Sequence, residues 1–288
     1  MTRTVLITGA RGKTGREVAR QLATEPDVEV RAGSSRPENT GSGGAAVRSV
    51  RFDWQDAETW RDAIAGIDAV YLMRPDLPEA PQMVAELVEF TPDSHVVLVS
   101  EQGAEKLGDD HWVRRVENAV TGKAGSWTIL RPSWFQQNFI DPRFYRDAIR
   151  RDRTLSMPSG GAPIAWVDTR DIAGVAVRAL LDPDTHRGRH YTITGPEGVT
   201  IPEVAELLSA ALEATVTAVE QPLADALYGL DPWIAGVLDD LYRRVKVGDF
   251  GGLSRTVETI AGRKPTSLKE FIREHRSEWL QHGSKAAR

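Results

Sequence analysis

The chain has 288 residues, of which 41% are hydrophobic and 27% charged, and this length allows one large domain or two modest ones. A net charge of −5 leaves no basic excess that would indicate nucleic acid or an anionic membrane surface as a partner. The absence of cysteine excludes disulfides, thiolate nucleophiles and cysteine metal sites. No signal peptide and no bilayer-length apolar run are recognisable, so we expect a cytoplasmic protein.

A glycine-rich turn follows the first apolar run of the chain. The run at 5–7 stops at Gly9, then Gly12 and Gly15 follow at three-residue spacing, and apolar residues recur at helical spacing over 15–24. Glycines at these points let the backbone turn sharply and let a pyrophosphate approach the start of a helix. The pattern predicts dinucleotide binding, and a purely structural turn is the alternative.

Short apolar runs alternate with amphipathic stretches through the first half. A glycine-rich loop is predicted at 41–44. Strands separated by helix-length segments indicate βαβ units and a parallel sheet, so the predicted fold class is α/β with a Rossmann-type doubly wound parallel sheet. The predicted strands are 5–7, 28–32, 47–52, 69–72, 95–99 and 127–130, and the predicted helices are 15–24, 57–65, 78–90 and 111–121.

The alternation of helix and strand loosens after Pro132. Two later pieces, 166–168 and 189–194, are predicted to return to the sheet on either side of a helix at 169–181. We therefore predict a nucleotide-binding domain of residues 1–132 plus 164–195 and a smaller, mostly helical domain of residues 133–163 plus 196–288. The remaining predicted helices are 201–212, 232–245, 254–261 and 267–280.

Five segments of the chain have an order and spacing that are specific when taken together. They are Thr8-Gly9-Ala10-Arg11-Gly12-Lys13-Thr14-Gly15, Asp53-Trp54, Ile129-Leu130-Arg131-Pro132-Ser133-Trp134-Phe135-Gln136-Gln137-Asn138, Val167-Asp168-Thr169-Arg170-Asp171-Ile172-Ala173 and Tyr191-Thr192-Ile193-Thr194-Gly195-Pro196. On these segments the chain resembles the NmrA-like atypical short-chain dehydrogenase/reductases over nearly its whole length. Within that group it looks most like bacterial relatives of ergot-alkaloid-type reductases and NAD(P)H:quinone oxidoreductases. The resemblance implies a Rossmann domain that binds NADP(H) and a small C-terminal domain that closes a substrate cleft.

The end of the second strand indicates which nicotinamide cofactor is preferred. Folds that choose NAD place an acid there for the ribose 2′-hydroxyl, whereas this chain has none before Glu38. Arg36, with Ser34 or Ser35, can instead hydrogen-bond a 2′-phosphate, and Arg11 and Lys13 add positive charge nearby. We expect NADP(H) in preference to NAD(H); the alternative is that Arg36 is only a solvated loop cation.

Other cofactor contacts are expected at the carboxyl ends of the predicted strands. The resemblance places the Asp53 carboxylate at the adenine amino group, although a turn or helix-capping role is the alternative. The segment after the fourth strand is expected to border the pyrophosphate and the nicotinamide ribose. The predicted cofactor-binding residues are Gly9, Arg11, Gly12, Lys13, Thr14, Gly15, Ser34, Arg36, Asp53, Trp54, Met73, Arg74, Pro75, Ser100 and Pro132.

The Tyr and Lys pair that reduces carbonyls in most short-chain dehydrogenases is missing. Its expected positions fall near Asp109 and Val113, and neither residue can donate a proton to an alkoxide. Hydride transfer to an iminium carbon needs no proton, and a quinone leaves a delocalised anion that water can protonate. The absent pair therefore favours electron-poor, conjugated or cationic acceptors.

Two catalytic candidates remain, each with a simpler alternative. His111 is a candidate proton donor or a solvated helix residue, and Ser100 stands near the nicotinamide or only caps a strand end. The histidines show no metal-ligand spacing, so no metal site is expected. For the substrate pocket we predict Trp134, Phe135, Gln137, Asn138 and Trp166, of which the two tryptophans and Phe135 are equally compatible with core packing.

Two functions fit these observations. The first is an NADP(H)-dependent reductase that transfers a hydride to a small conjugated, quinone-like or iminium acceptor. The second is a non-catalytic NADP(H)-sensing regulatory protein of the NmrA type, since a missing Tyr and Lys pair fits that role too. A small aromatic or conjugated molecule is the expected partner, with no nucleic acid and no membrane, and the protein is expected to be a monomer or a homodimer.

Overall fold

Seven parallel strands form the central sheet of the first unit of the chain. The computed structural model describes residues 2–37 and 47–280, so Glu38 and the predicted loop at 41–44 lie outside the described residues. The strands are β1 (Arg3–Ile7), β2 (Val28–Ser34), β3 (Val47–Arg51), β4 (Ala69–Met73), β5 (His95–Val99), β6 (Ser126–Pro132) and β8 (Arg189–Ile193), in the spatial order β3-β2-β1-β4-β5-β6-β8.

Helices cover both faces of this sheet. The helices of this unit are α1 (Lys13–Leu22), α2 (Trp60–Ile64), α3 (Ala80–Glu89), α4 (Trp112–Lys123), α6 (Thr169–Leu181), α7 (Pro183–His186) and α11 (Thr256–Ala261). One face packs on α2, α3 and α4 through a core that includes Trp60, Val84 and Val116, and α1 and α11 pack on α6. The inner strands are apolar and buried on both sides, as parallel sheets require. The predicted doubly wound parallel fold is confirmed.

The second unit is built around its own aromatic core. Among the described residues it comprises Ser133–Asp168, Thr194–Leu253 and 265–280, and the core packs Phe139, Trp166 and other apolar side chains together. Two short parallel strands, β7 (Thr154–Met157) and β9 (Thr217–Glu220), pair with each other; neither was predicted from the sequence. The helices are α5 (Arg146–Asp152), α8 (Ile201–Leu212), α9 (Leu223–Leu227), α10 (Pro232–Lys246) and α12 (Leu268–Glu274).

The predicted return of 166–168 to the sheet is wrong. Val167 forms only an isolated bridge with Phe135, and the side chain of Trp166 lies in the core of the second unit. The apolar character of this segment therefore reflects burial in that core. The predicted helix 267–280 is also too long, because α12 ends at Glu274 and a separate 3-10 turn covers Arg276–Trp279.

The two units differ from the sequence-based domain division at 164–168, 194–195 and 254–264. Residues Ser254–Lys264 belong to the first unit, because α11 packs on α6 and the Ser254 hydroxyl donates to the Thr192 carbonyl at 2.6 Å. An ion pair between Arg263 and the buried Asp171 adds to this attachment. Across the part of the chain that the structure describes, no helix combines the length and apolarity needed to span a bilayer.

Candidate functional site

The turn between β1 and α1 requires glycine at two positions for different reasons. Gly9 has φ +67°, a left-handed conformation that L side chains rarely adopt. At Gly15, a Cβ would lie 2.4 Å from the Gly9 carbonyl oxygen, so a side chain there would separate the turn from the helix. These two glycines hold the first turn of α1 directly against the end of β1.

Gly12 occupies the position between them and has ordinary geometry. Its φ of −72° and ψ of 174° are extended, and its N–H donates to the Gly9 carbonyl at 2.8 Å. A Cβ here would have only that carbonyl oxygen nearby, at 3.1 Å. The start of α1 carries no capping side chain and no acidic residue in its first turn. The fold therefore leaves space at Gly12 beside the positive N-terminal end of α1. Both features suit a pyrophosphate.

The end of β4 is fixed to this turn by side chains from two directions. The Thr8 hydroxyl oxygen accepts a hydrogen bond from the Met73 N–H at 2.8 Å, and the Trp54 indole donates to the Met73 carbonyl at 3.2 Å. Thr14 is buried at the start of α1. Burial raises the pKa of Tyr71, and the Thr14 hydroxyl opposes that rise. Lys13 is the first residue of α1. The structure thus brings the predicted residues of the glycine turn together with Met73 and Trp54.

A second group lies where β2 and β3 end. The Ser34 hydroxyl accepts from the Arg36 N–H at 3.2 Å, and the Arg11 guanidinium donates to the Arg36 carbonyl at 3.2 Å. Asp53 forms a local turn in which its carboxylate accepts from the Gln55 N–H at 3.0 Å. The turn role considered for Asp53 is therefore present in the structure, whereas the following 3-10 helix has Asp56 at its N-cap position. Arg11, Ser34 and Arg36 form one connected loop cluster.

Arg74 is held rigidly at the carboxyl edge of the sheet. Its guanidinium lies 4.4 Å from the centre of the Trp112 ring and pairs with Asp76 at 3.1 Å and with Glu101 at 3.4 Å. Pro75 follows it and is half-buried. Because the two carboxylates and the indole already fix the Arg74 head group, its orientation is set before any ligand binds.

Ser100 lies beside a buried ion-pair network that sequence reasoning missed. Arg131 donates to the two carboxylate oxygens of Glu117 at 2.9 and 2.7 Å, and Arg114 adds a third hydrogen bond at 2.7 Å. Burial alone would raise the pKa of Glu117, but the hydrogen bonds from Arg131, the neighbouring Ser100 hydroxyl and the charges of Arg131 and Arg114 hold it below its ordinary value. An acid on the apolar stripe of α4 was the signal that could have revealed this network.

His111 caps the helix that carries Glu117. Its Nδ1 accepts a hydrogen bond from the Val113 N–H at 3.3 Å, so the proton of the neutral ring lies on Nε2. Pro132 ends β6, and its carbonyl accepts from the Gln102 N–H at 2.9 Å. The expected positions of the missing catalytic pair hold Asp109, which pairs with Arg114 at 3.3 Å, and Val113, which is buried.

The glycine turn lies within the part of the chain that matches a known protein family. Residues 9–183 match the family of NAD(P)H-binding proteins. The chain belongs to this NAD(P)H-binding family. It is 29% identical to the NAD(P)H azoreductase of Xenophilus azovorans over 94% of this chain and 97% of the relative.

Two solved structures have the same fold as this chain. The NADPH-dependent quinone oxidoreductase of Escherichia coli, complexed with NADPH, aligns with a TM-score of 0.80 at 22% identity, covering 94% of this chain and 99% of that one. NmrA, a negative transcriptional regulator in complex with NADP, aligns with a TM-score of 0.70 at 15% identity over 95% of each chain. The predicted resemblance to the NmrA-like group is confirmed, and the named relatives of this chain include NAD(P)H-dependent oxidoreductases.

The predicted pocket residues all lie in the second unit. Trp166 is fully buried and its indole donates to the Val199 carbonyl at 3.3 Å, so it has a core position. Gln137 donates to the Asp168 carboxylate at 3.0 Å. The Asn138 carbonyl accepts from the Tyr145 N–H at 3.3 Å.

The remaining predicted pocket residues differ in their surroundings. Phe135 is half-buried and bridges to Val167. Trp134 is half-buried among other aromatic rings and stacks on Tyr242. The neighbouring Gln136, which was not predicted, is fully buried and donates to the Trp166 and Thr266 carbonyls.

Proposed function

We propose that this oxidoreductase uses NADP(H) in preference to NAD(H) and transfers a hydride to a small conjugated, quinone-like or iminium acceptor. The observation that carries the proposal is the combination of a complete glycine turn with Asp109 and Val113 at the positions of the missing Tyr and Lys. The similarity to an azoreductase supports an electron-poor acceptor, because an azo group is such an acceptor.

The residues of the first unit fit a dinucleotide. The open start of α1 at Gly12 would receive the pyrophosphate, and Arg36 and Ser34 would hold a 2′-phosphate. Met73, Arg74, Pro75, Ser100 and Pro132 would border the nicotinamide ribose and the nicotinamide. When bound, the reduced cofactor supplies a hydride.

The chain itself contributes binding and orientation. The ion pairs of Arg74 and the hydrogen bonds of Met73 fix the carboxyl edge before a ligand arrives, which lowers the ordering cost of binding. Aromatic side chains of the second unit, Trp134 and Phe135 among them, would bind a flat acceptor, with Gln137 and Asn138 as polar neighbours. His111 remains a candidate proton donor through its Nε2 proton.

Oxidation of NADPH in the presence of quinones, iminium compounds, azo compounds and simple ketones tests the proposal. We expect turnover of the first three classes and little turnover of the ketones, and the same panel with NADH measures cofactor preference. Preferred turnover of simple ketones would contradict the mechanism. Tight NADPH binding without turnover of any acceptor would instead favour the sensing role, for which the fold shared with NmrA is the supporting observation.

A further inference from the structure

Hydrogen bonds tie the glycine turn to the end of β2 and to the loop that follows it. The Ala10 N–H donates to the Gly33 carbonyl at 3.1 Å, and the Arg11 guanidinium donates to the Arg36 carbonyl at 3.2 Å. The Arg16 guanidinium in turn donates to the Arg11 carbonyl at 3.3 Å. Arg16 therefore holds the main chain of the residue whose side chain holds the loop.

The main chain of Arg36 is the point at which these contacts reach the loop. Its carbonyl accepts from Arg11 and also from the Ser34 hydroxyl at 3.2 Å, and its N–H donates to the same hydroxyl oxygen. The Arg36 side chain is exposed. Because the main chain of Arg36 is fixed on both sides, fewer conformations have to be lost when its guanidinium contacts a phosphate.

Arg16 occupies a position at which a cation does not stabilise the helix. It lies in the first turn of α1, where the helix dipole favours acids, and this turn contains no acidic residue. Arg20 shows the usual arrangement, because it lies in the last turn and donates to the Glu17 carboxylate at 3.0 Å. The partner of the Arg16 guanidinium is instead the Arg11 carbonyl, outside the helix.

We infer that Arg16 is a positioning residue for cofactor selection, which acts through Arg11 to fix the loop that presents Arg36 to a 2′-phosphate. This inference rests on the proposed function and adds to it a residue that the sequence analysis did not select. The effect is confined to NADPH, because NADH has no 2′-phosphate for Arg36 to contact. Arg16 thus sets the preference between the two cofactors.

Two simpler roles of Arg16 lead to different behaviour. If its charge alone attracted the cofactor, the affinity for NADPH and for NADH would both fall on its removal, because both molecules carry the pyrophosphate. If Arg16 only stabilised the fold, its removal would lower the melting temperature and leave the ratio of the two dissociation constants unchanged.

Arg16→Ala distinguishes these roles. We expect the Kd for NADPH to rise about threefold to tenfold and the Kd for NADH to stay within about twofold, both measured by fluorescence titration. Arg20→Ala is the matched control, because it removes another exposed cation of α1, whose partner is Glu17. The ratio of the two dissociation constants should not change in this control, and the melting temperature of both variants should stay within about 2 °C of the wild type.

A double-mutant cycle tests whether the effect passes through Arg11. Arg11→Ala removes the guanidinium that reaches the Arg36 carbonyl, so a fixed main chain at position 11 no longer orders the loop. In this background, Arg16→Ala should weaken NADPH binding by less than about twofold. Full additivity of the two changes would overturn the inference.

The inference would also be overturned by equal weakening of NADPH and NADH in Arg16→Ala, by an unchanged ratio of their dissociation constants, or by the same change of ratio in Arg20→Ala. Equal affinity of the wild type for NADPH and NADH would contradict the proposed cofactor preference and the inference with it. A wild type that prefers NADPH, with the same preference in Arg16→Ala, would contradict the inference alone.

Discussion

The guanidinium of Arg11 donates a hydrogen bond to the main-chain carbonyl of Arg36 at 3.2 Å and thereby ties the glycine turn to the loop after β2. The Arg36 side chain is exposed, and no partner for its guanidinium is found within residues 2–37 and 47–280. The two arginines thus have different tasks: Arg11 shapes the loop, and Arg36 presents an exposed guanidinium.

Replacing Arg36 with Ala is expected to weaken NADPH binding by about tenfold to a hundredfold, since a charge-assisted contact contributes roughly 1.5–3 kcal/mol. NADH binding should change little because NADH lacks the 2′-phosphate. Titration of both cofactors by fluorescence measures the difference, with Arg61→Ala, an exposed arginine on α2, as the control. Equal weakening of both cofactors would show that Arg36 does not contact the phosphate.

Gly12→Val is expected to abolish NADPH binding while the protein remains folded. The extended backbone at Gly12 suits a β-branched residue, and its Cβ would lie 3.1 Å from the Gly9 carbonyl oxygen, so a small loss of stability accompanies the main effect, which is to occupy space that the pyrophosphate needs. Gly15→Ala should instead lower the melting temperature, because its Cβ would lie 2.4 Å from the Gly9 oxygen. Gly122→Ala, where a Cβ meets no atom within 4 Å, is the control. Wild-type affinity in folded Gly12→Val would contradict pyrophosphate binding at this turn.

The stability of the protein is expected to decrease as the pH is lowered, because His95 titrates. Its Nε2–H donates to the Thr128 hydroxyl, which itself donates to the His186 carbonyl, and its Nδ1 accepts from the Ser126 hydroxyl. Burial, with the charges of Arg3, His186 and Arg187, lowers the pKa of His95 to about 4.

Because the folded pKa of His95 lies below the unfolded value of 6.5, its contribution is complete above pH 6.5 and is lost as the pH falls toward 4. We expect a loss of about 2 kcal/mol in the free energy of unfolding between pH 7.5 and pH 5. Urea unfolding of the wild type and of His95→Gln over this pH range measures the loss. The free energy of unfolding of the variant should change less with pH than that of the wild type. Part of the slope should persist, since burial also lowers the pKa of His186 and His190. An unchanged slope would show that His95 does not carry the effect.

His111→Asn distinguishes helix capping by His111 from proton donation by His111. Asn is a good helix cap, so the melting temperature should stay within about 2 °C of the wild type. If the Nε2 proton is used in turnover, quinone reduction should slow by about a hundredfold. We expect little change, because water can protonate the delocalised anion that a reduced quinone leaves. A large loss of quinone turnover at unchanged stability would assign the donor role to His111.

The sequence alone determined the features that depend on local patterns. Apolar runs such as 95–99 are buried on both faces of a parallel sheet, so their continuity was sufficient to find them. The spacing of Gly9, Gly12 and Gly15 identified the nucleotide turn for a similar reason, because glycine is required there by local geometry and by the space above the helix.

Only the tertiary structure decided which distant residues meet. The pairing of Glu117 with Arg131, the two strands Thr154–Met157 and Thr217–Glu220, and the stacking of Trp134 on Tyr242 each join segments that are far apart in the chain. The segment 166–168 shows the limit clearly: its apolar residues predicted a strand, but burial in a second core produces the same composition. Hydrophobic pattern records that a residue is buried, and only the fold determines what it is buried against.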